Sequence, residues 1–308
     1  VGFGYTGLNA AIEIAKNGRN VCIIDKNDFG CGCSSKNGGQ ISNLLKPSLK
    51  KLTKKYGFQK AKLIRGEGVN SVEWLIDFIK NENFDCDLKR EGRFHGAHTP
   101  VEFKKMVSES NDLKENEGIE TQIIDKSDQK NEINSDLYHG GVVFPQHASL
   151  NAAKYHKALI EKAIGLGVSV ISKCEMVDFK KKLDEFSVLT NKGPLTASNL
   201  VVATNGYTSN VTPWLNKRNI PIGSYVIATE ELPINYISSL FPTNRHITDT
   251  CRVVYYFRPS PDRKRIIFGG RVSSREIGLS KSAPLLLKDL KRVFPDLPEL
   301  KISHSWMG

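Results

Sequence analysis

The residues best suited to chemistry stand at the start of the chain, where Gly2-Phe3-Gly4-Tyr5-Thr6-Gly7 forms a G-x-G-x-x-G turn. In such a turn the first glycine permits a tight bend and the second lets the backbone approach a pyrophosphate. The third lets the next helix pack closely, and that helix's free N-terminal amides attract the anion. Asp25, 18 positions after Gly7, ends an apolar run, where a carboxylate can accept hydrogen bonds from ribose hydroxyls and would repel an added phosphate. A second stretch, Gly30-Cys31-Gly32-Cys33-Ser34-Ser35-Lys36-Asn37-Gly38-Gly39-Gln40, offers small side chains and unobstructed amides. It suits a loop that wraps a diphosphate and then passes under a flat ring. Cys31-x-Cys33 has no second ligand pair beside it, so Cys33 reads as a small loop residue and no metal is expected.

These residues need elements to hold them. Leu8, Ala11, Ile12 and Ala15 share one helical face up to Gly18, and Val21-Cys22-Ile23-Ile24 follows as a strand covered on both sides. Only Val1 precedes the turn, so the natural protein is expected to begin several residues earlier. The unperiodic stretch from 29 to 42 is long for a plain connector, as functional loops often are. The pattern then predicts a helix over 59–80, a strand over 88–97, a helix over 101–117 and a strand over 138–144. A second helix and strand follow over 152–166 and 168–171. A ribbon near 186–189 comes next, and an apolar strand at 200–203 leads into Thr204-Asn205-Gly206. From 220 to 270, strand-like runs at 225–229, 253–257 and 266–268 joined by proline turns read as antiparallel sheet. The sum is a parallel α/β core interrupted by an antiparallel layer, α/β in class and α+β overall.

The bulk numbers exclude more than they select. A chain of 308 residues with 39% hydrophobic and 25% charged residues is ordinary globular composition. No apolar run is long enough to span a bilayer and no signal peptide opens the chain. The formal charge of +11 is dispersed, and the one run, Lys180-Lys181-Lys182, adjoins Asp184 and Glu185, so no nucleic-acid partner is implied. Six scattered cysteines suit reduced thiols and a cytoplasmic location.

With these motifs on the page, the chain resembles the FAD-dependent amine and amino-acid oxidoreductases of the D-amino-acid oxidase class, nearest the γ-glutamylputrescine oxidoreductase-like branch. The resemblance rests on the glycine turn, on Gly32 to Gln40, and on Ala203-Thr204-Asn205-Gly206-Tyr207. It also rests on Pro221-Ile222-Gly223-Ser224-Tyr225-Val226-Ile227-Ala228-Thr229-Glu230 and on Phe268-Gly269-Gly270-Arg271. It implies a Rossmann-like FAD/NAD(P)-binding domain, expected over 1–85, 141–215 and 301–308, interleaved with a substrate domain over 86–140 and 216–300. It further implies non-covalent FAD, with the turn from Gly2 through Tyr5 and Thr6 to Gly7 at the pyrophosphate and Asp25 with Lys26 at the ribose. Ser34 and Ser35 would lie at the phosphates and Asn37, Gly39 and Gln40 near the flavin, with Cys33 (small alanine is usual there) and Gly38 also at the cofactor. Met176 would meet the adenine, and Thr204, Asn205 and Gly206 would close over the cofactor. The family's late glycine-rich flavin contact has no match, so the natural protein is expected to extend beyond 308.

The implied reaction takes a hydride from the carbon bearing a small amine or amino acid's nitrogen, leaves an imine for water to hydrolyse, and returns electrons to dioxygen or another acceptor. It requires an unprotonated amine, hence a desolvated site. Arg258 is the candidate to clamp a substrate carboxylate, since a guanidinium matches it in a fork; the other reading is a solvated arginine on a sheet face. Lys46 and Tyr225 are weaker candidates, and His147 reads as a capping or packing histidine. Two rivals remain open from sequence: an NAD-linked dehydrogenase, which would lack the wrapping loop, and a non-catalytic partial product that keeps the fold. Oligomeric state is not legible.

Overall fold

The computed structural model describes residues 1–270 and 277–308; Arg271 of the quoted motif lies outside them. The chain forms two compact units, one of Val1–Asn37, Ala152–Gly223 and Gly308, the other of Gly38–Asn151 and Ser224–Met307.

In the first unit the glycine turn runs into a helix, Tyr5–Lys16, that buries Leu8, Ala11 and Ile12. Gly18, at φ 72°, ends it in the left-handed region that favours glycine. The strand Cys22–Ile24 pairs in parallel with Ser169–Ile171, Cys22 opposite Ser169. The helix Ala152–Gly165 packs on the first helix through Tyr155, His156, Leu159, Ile160 and Ala163. An antiparallel ribbon of Met176–Lys181, Phe186–Thr190 and Gly193–Ala197 completes the unit. The strand expected over 200–203 is not formed. That segment is held through Val1, whose N-terminal amine donates to the Val201 carbonyl at 2.6 Å and whose carbonyl accepts from Ala203 at 2.8 Å. Gly2 in turn donates to Ile24 at 2.8 Å.

The second unit is built on an eight-stranded sheet. Its order is Ile302–Met307, Tyr225–Thr229, Ile266–Gly270, Tyr256–Pro259, His246–Asp249, Arg93–Gly96, Gly141–Phe144, Gln122–Ile124. All described pairs are antiparallel except His246–Asp249 with Arg93–Gly96, which run parallel. Side chains alternate faces along a strand, and the register sorts them. Val143, Phe94, Ile247, Phe257, Phe268 and Ile227 form a transverse row on one face and belong to the main core, which the helix Leu279–Val293 covers with Ala283, Leu286, Leu290 and Val293. On the opposite face the matching rows are polar. One runs Phe144, Arg93, His246, and the next runs Val142, His95, Thr248, Tyr256, Gly269, Val226, Trp306. Continuing the register between the two central strands sets Arg258 across from His246 in the first row.

Helices Phe58–Asn81 and Pro100–Glu117 follow the expected spans and are joined by a buried ion pair, Arg65 to Glu117 at 2.6 Å. The strand expected over 88–97 is ordered as strand only from Arg93 to Gly96; Lys89 makes one isolated bridge, to Ser149. The expected domain limits differ from the observed units. Residues 38–85, 141–151 and 301–307 group with the sheet unit, and 216–223 group with the first unit. Hydrogen bonding explains part of this, since Gly141–Phe144 pairs with Arg93–Gly96 and Ile302–Met307 with Tyr225–Thr229.

Candidate functional site

The first unit carries an open cavity lined by the glycine turn, the 25–34 segment, Met176 and residues 202–212. Its floor is the glycine turn. Gly2 sits at φ 106°, and a Cβ there would lie 2.4 Å from the Ala203 carbonyl oxygen; a Cβ on Gly7 would lie 2.0 Å from the Gly2 carbonyl oxygen. Both positions exclude any side chain, so the turn, the 201–203 segment and the helix start are pressed together. The helix begins at Tyr5 after Gly4 with no side-chain cap and no acidic residue in its first turn, which leaves its positive end open to an anion. Ser34 marks the place of such an anion: its Oγ accepts from the Tyr5 amide at 3.0 Å.

Asp25 accepts from the Phe3 amide through Oδ2 and from the Asn27 amide through Oδ1, both at 2.9 Å. This ties the carboxylate to the mouth of the turn, and each oxygen keeps a lone pair for a hydroxyl. Lys26, Cys33, Ser34, Met176, Thr204 and Asn205 also line the cavity. Cys33 Sγ lies 3.1 Å from the Tyr207 hydroxyl. The remaining expected residues stand apart from the lining. Thr6 is exposed on the helix. Ser35 donates within its own loop to the Gly30 and Gly32 carbonyls at 2.7 and 3.0 Å. Asn37 donates to the Cys33 and Ser34 carbonyls at 3.0 and 3.1 Å and to the Tyr5 hydroxyl at 3.4 Å. Gly206 follows Asn205 in a short 3-10 turn.

Among the cavity residues that the sequence expectation did not name, one is a buried histidine. His156, on the second helix, places Nε2 2.8 Å from the Phe3 carbonyl, and burial holds its pKa below the ordinary histidine value. Its signal was a histidine at a position helical spacing assigns to the packed face.

In the second unit the end of the loop meets the polar sheet face. Gly39 sits at φ 67°; a Cβ there would lie 1.9 Å from the Leu150 carbonyl oxygen and 3.1 Å from Arg258 Nη2. Gly38 lies against the Tyr256 ring, and Gln40 begins a short strand pairing with Ser149. Arg258 is buried, at 8% exposure, which overturns the reading of a solvated arginine. Its Nη2 donates to Leu150 O at 2.8 Å, its Nε has no partner, and burial lowers its pKa to about 10, with Asp87 opposing. Lys46 is exposed. Tyr225 lies in the main core with its hydroxyl accepting from the Ile277 amide at 2.7 Å, so that hydroxyl is engaged within the fold. His147 is fully buried and stacked on Phe144, with Nε2 2.7 Å from Asn43 Oδ1. Burial, then the Arg93 charge, pushes its pKa down to about 3.

The glycine turn, the uncapped helix start and Asp25 suit a dinucleotide, and the comparisons define the family. Residues 1–308 match the family described as FAD dependent oxidoreductase, and the chain belongs to that family; its cofactor is FAD. It is 29% identical over 314 residues to the γ-glutamylputrescine oxidoreductase of Escherichia coli strain K12, matching all of this chain and 72% of that protein. It is 26% identical over 313 residues to the probable oxidoreductase OrdL of Haemophilus influenzae, again over the whole chain and 71% of the relative. The fold is that of glycine oxidase from Geobacillus kaustophilus, with a TM-score of 0.80 at 16% identity over all of this chain and 80% of that one. L-proline dehydrogenase from P. horikoshii gives 0.76 at 19%, covering 100% and 79%. Among the described residues no helix is long and apolar enough to cross a membrane.

Proposed function

We propose that the protein oxidises the C–N bond of a small amine or amino acid, with Arg258 receiving a substrate carboxylate. FAD, when bound, supplies the two-electron acceptor for this oxidation, and water hydrolyses the released imine. The chain's own part begins with the first unit. There the open amides at the start of helix Tyr5–Lys16, aided by Ser34, hold the diphosphate, while Asp25 and Lys26 take the ribose and Met176 the adenine. Cys33, Thr204 and Asn205 complete that wall.

The polar sheet face does the rest, and the observation that carries the reading is its charge. Its two central rows hold Arg93, His95, His246, Thr248, Tyr256 and Arg258 without a carboxylate. A substrate amine near these guanidinium groups is pushed towards its neutral form, because a like charge disfavours protonation and desolvation does the same. Burial with the Arg93 charge holds His95 at about 3, so the imidazoles there add no positive charge at neutral pH. Tyr256 is fixed by a 2.6 Å hydrogen bond with Ser224 and by contact with the Cβ-less Gly269. It orients whatever binds beside Arg258. The likeness to γ-glutamylputrescine oxidoreductase and to glycine oxidase supports the same substrate class.

The test is anaerobic titration of the FAD-loaded protein with an amine panel that includes γ-glutamylputrescine, glycine and sarcosine, followed at the flavin absorption band. Bleaching by at least one carboxylate-bearing amine, with Arg258→Ala raising KM by ~10² or more and leaving FAD content intact, is the expected result. A protein that holds FAD but is bleached by none of the panel, or an Arg258→Ala variant with unchanged KM, overturns the assignment. Admitting air then identifies the acceptor: rapid return of colour with peroxide marks dioxygen.

A further inference from the structure

Among the described residues, two guanidinium groups on the polar sheet face have no ion-pair partner, although the Asp87 charge acts on Arg258. The other arginines buried or half-buried in this unit are answered within the chain: Arg65 by Glu117 at 2.6 Å, Arg245 by Glu132 at 2.6 Å, and Arg265 by Glu231 at 3.0 Å. Arg263 donates to the Phe241 carbonyl and to Ser238. Arg93 and Arg258 differ. Arg258 has one carbonyl partner and an unpartnered Nε. Arg93 stacks its guanidinium 4.6 Å above the Phe144 ring, with its Nε buried and without a partner. No described residue gives it a hydrogen bond or a carboxylate. A desolvated cation without an ion-pair partner is costly to the fold. Among the described residues neither cation has a carboxylate in ion-pair contact, an arrangement suited to anions brought by a ligand.

Their arrangement separates them into distinct subsites. Arg93 and Arg258 flank His246 in a single transverse row, one strand away on each side. Two strand spacings put the backbones about 10 Å apart. His246 is 1% exposed, and neither ring nitrogen has a partner. A neutral imidazole there can donate one hydrogen bond to a group lying between the two arginines. Only Arg258 touches Gly39, the loop residue assigned to the flavin end; Arg93 is the far position.

We propose that the substrate carries two carboxylates, one near the oxidised C–N bond taken by Arg258 and a remote one taken by Arg93. Arg93 is then a specificity-determining residue, matched to a dicarboxylate amine in place of a simple monocarboxylate. This rests on the reading of Arg258 given above, and the experiment separates the two. Succinate, glutarate and adipate, each paired with its monoamide, are titrated calorimetrically into FAD-loaded protein, a measurement that needs no turnover. At least one diacid is expected to bind 10-fold or more tightly than its monoamide. Arg93→Gln removes that preference by weakening the diacid 10- to 100-fold while leaving the monoamide and the FAD content unchanged, and Arg93→Lys recovers part of it.

Equal affinity for every diacid and its monoamide, or no binding of any, overturns the proposal, as does equal weakening of both partners by Arg93→Gln. If Arg93→Gln does not fold, the comparison on the unaltered protein and on Arg93→Lys still decides. Diacid preference in a protein that bleaches with no amine would sink the amine reading and spare only the two-carboxylate arrangement on Arg258 and Arg93. Bleaching by monocarboxylate amines without diacid preference would do the reverse.

Discussion

At the scale of single residues, the cofactor site is defined by atoms that are missing. Gly7 has no room for a methyl group, since its Cβ would fall 2.0 Å from a backbone oxygen of Gly2, an atom that cannot swing aside as a side-chain tip can. Relief would require the helix start to move off the turn, and with it the amides meant for the diphosphate. Gly7→Ala is therefore expected to purify with less than about a tenth of the FAD of the unaltered protein, because a shift of a few tenths of an ångström spoils several charge-assisted hydrogen bonds at once. Gly18→Ala is the control. Its Cβ meets nothing within 4 Å, and although its φ of 72° makes the change mildly destabilising, it should leave the flavin-to-protein absorbance ratio unchanged. Equal FAD content in the two variants would mean that the close approach of Gly7 to Gly2 does not shape the site.

At the scale of elements, the pairing of helices Phe58–Asn81 and Pro100–Glu117 turns on one ion pair. Arg65 and Glu117 are both under a tenth exposed, and Arg65 also donates through Nη1 to the Leu45 carbonyl. Glu117→Gln leaves the guanidinium buried beside a neutral amide, which should destabilise the protein by roughly 3 kcal/mol, read from urea unfolding. Arg65→Met with Glu117→Leu, which removes both charges, should recover most of that loss; a double variant no better than the single would refute the electrostatic account. The first of these helices was legible in the sequence because Val69, Val72, Ile76 and Ile79 repeat at helical spacing, a purely local signal; the second, being polar, carried no such stripe. The glycine turn and Asp25 were legible for the same reason. Segment 200–203 was misread because an apolar run resembles a strand whether or not a partner lies beside it, and here only Val1 does. The Arg93, His246 and Arg258 row was hidden more deeply. Its members lie more than 150 positions apart in part, and only strand pairing brings them together; the local trace was an arginine and a histidine flanking Phe94 in a strand whose other face is core.

At the scale of the whole molecule, the buried histidines make stability a function of pH. His147 and His246 are essentially inaccessible, and burial, followed by the Arg93 charge, brings the first to about 3 and holds the second well below the ordinary value. Unfolding returns both to about 6.5, so below that pH the unfolded chain binds protons that the folded chain refuses. Their contribution is complete above 6.5 and declines as the pH falls towards 3. Each histidine accounts for about 1.4 kcal/mol per pH unit once the pH is well under 6.5. Asp249 acts in the opposite sense. It is 1% exposed, and burial raises its carboxyl to about 7 against the hydrogen bonds it accepts from the Tyr255 and Cys251 amides and the Tyr138 hydroxyl. Its contribution is complete below about 4 and is lost as the pH rises through 7. Between pH 6.5 and 4.5 these two histidines, joined by His95, which burial and Arg93 also hold at about 3, therefore outweigh one carboxyl, and the FAD-loaded protein should melt at a lower temperature at pH 5 than at pH 7. Asp249→Asn removes the opposing group, so its melting temperature should fall more steeply over the same interval, while His147→Gln should flatten the fall. A melting temperature that rises on acidification, or an Asp249→Asn profile parallel to that of the unaltered protein, would show that these buried groups do not govern the acid limb.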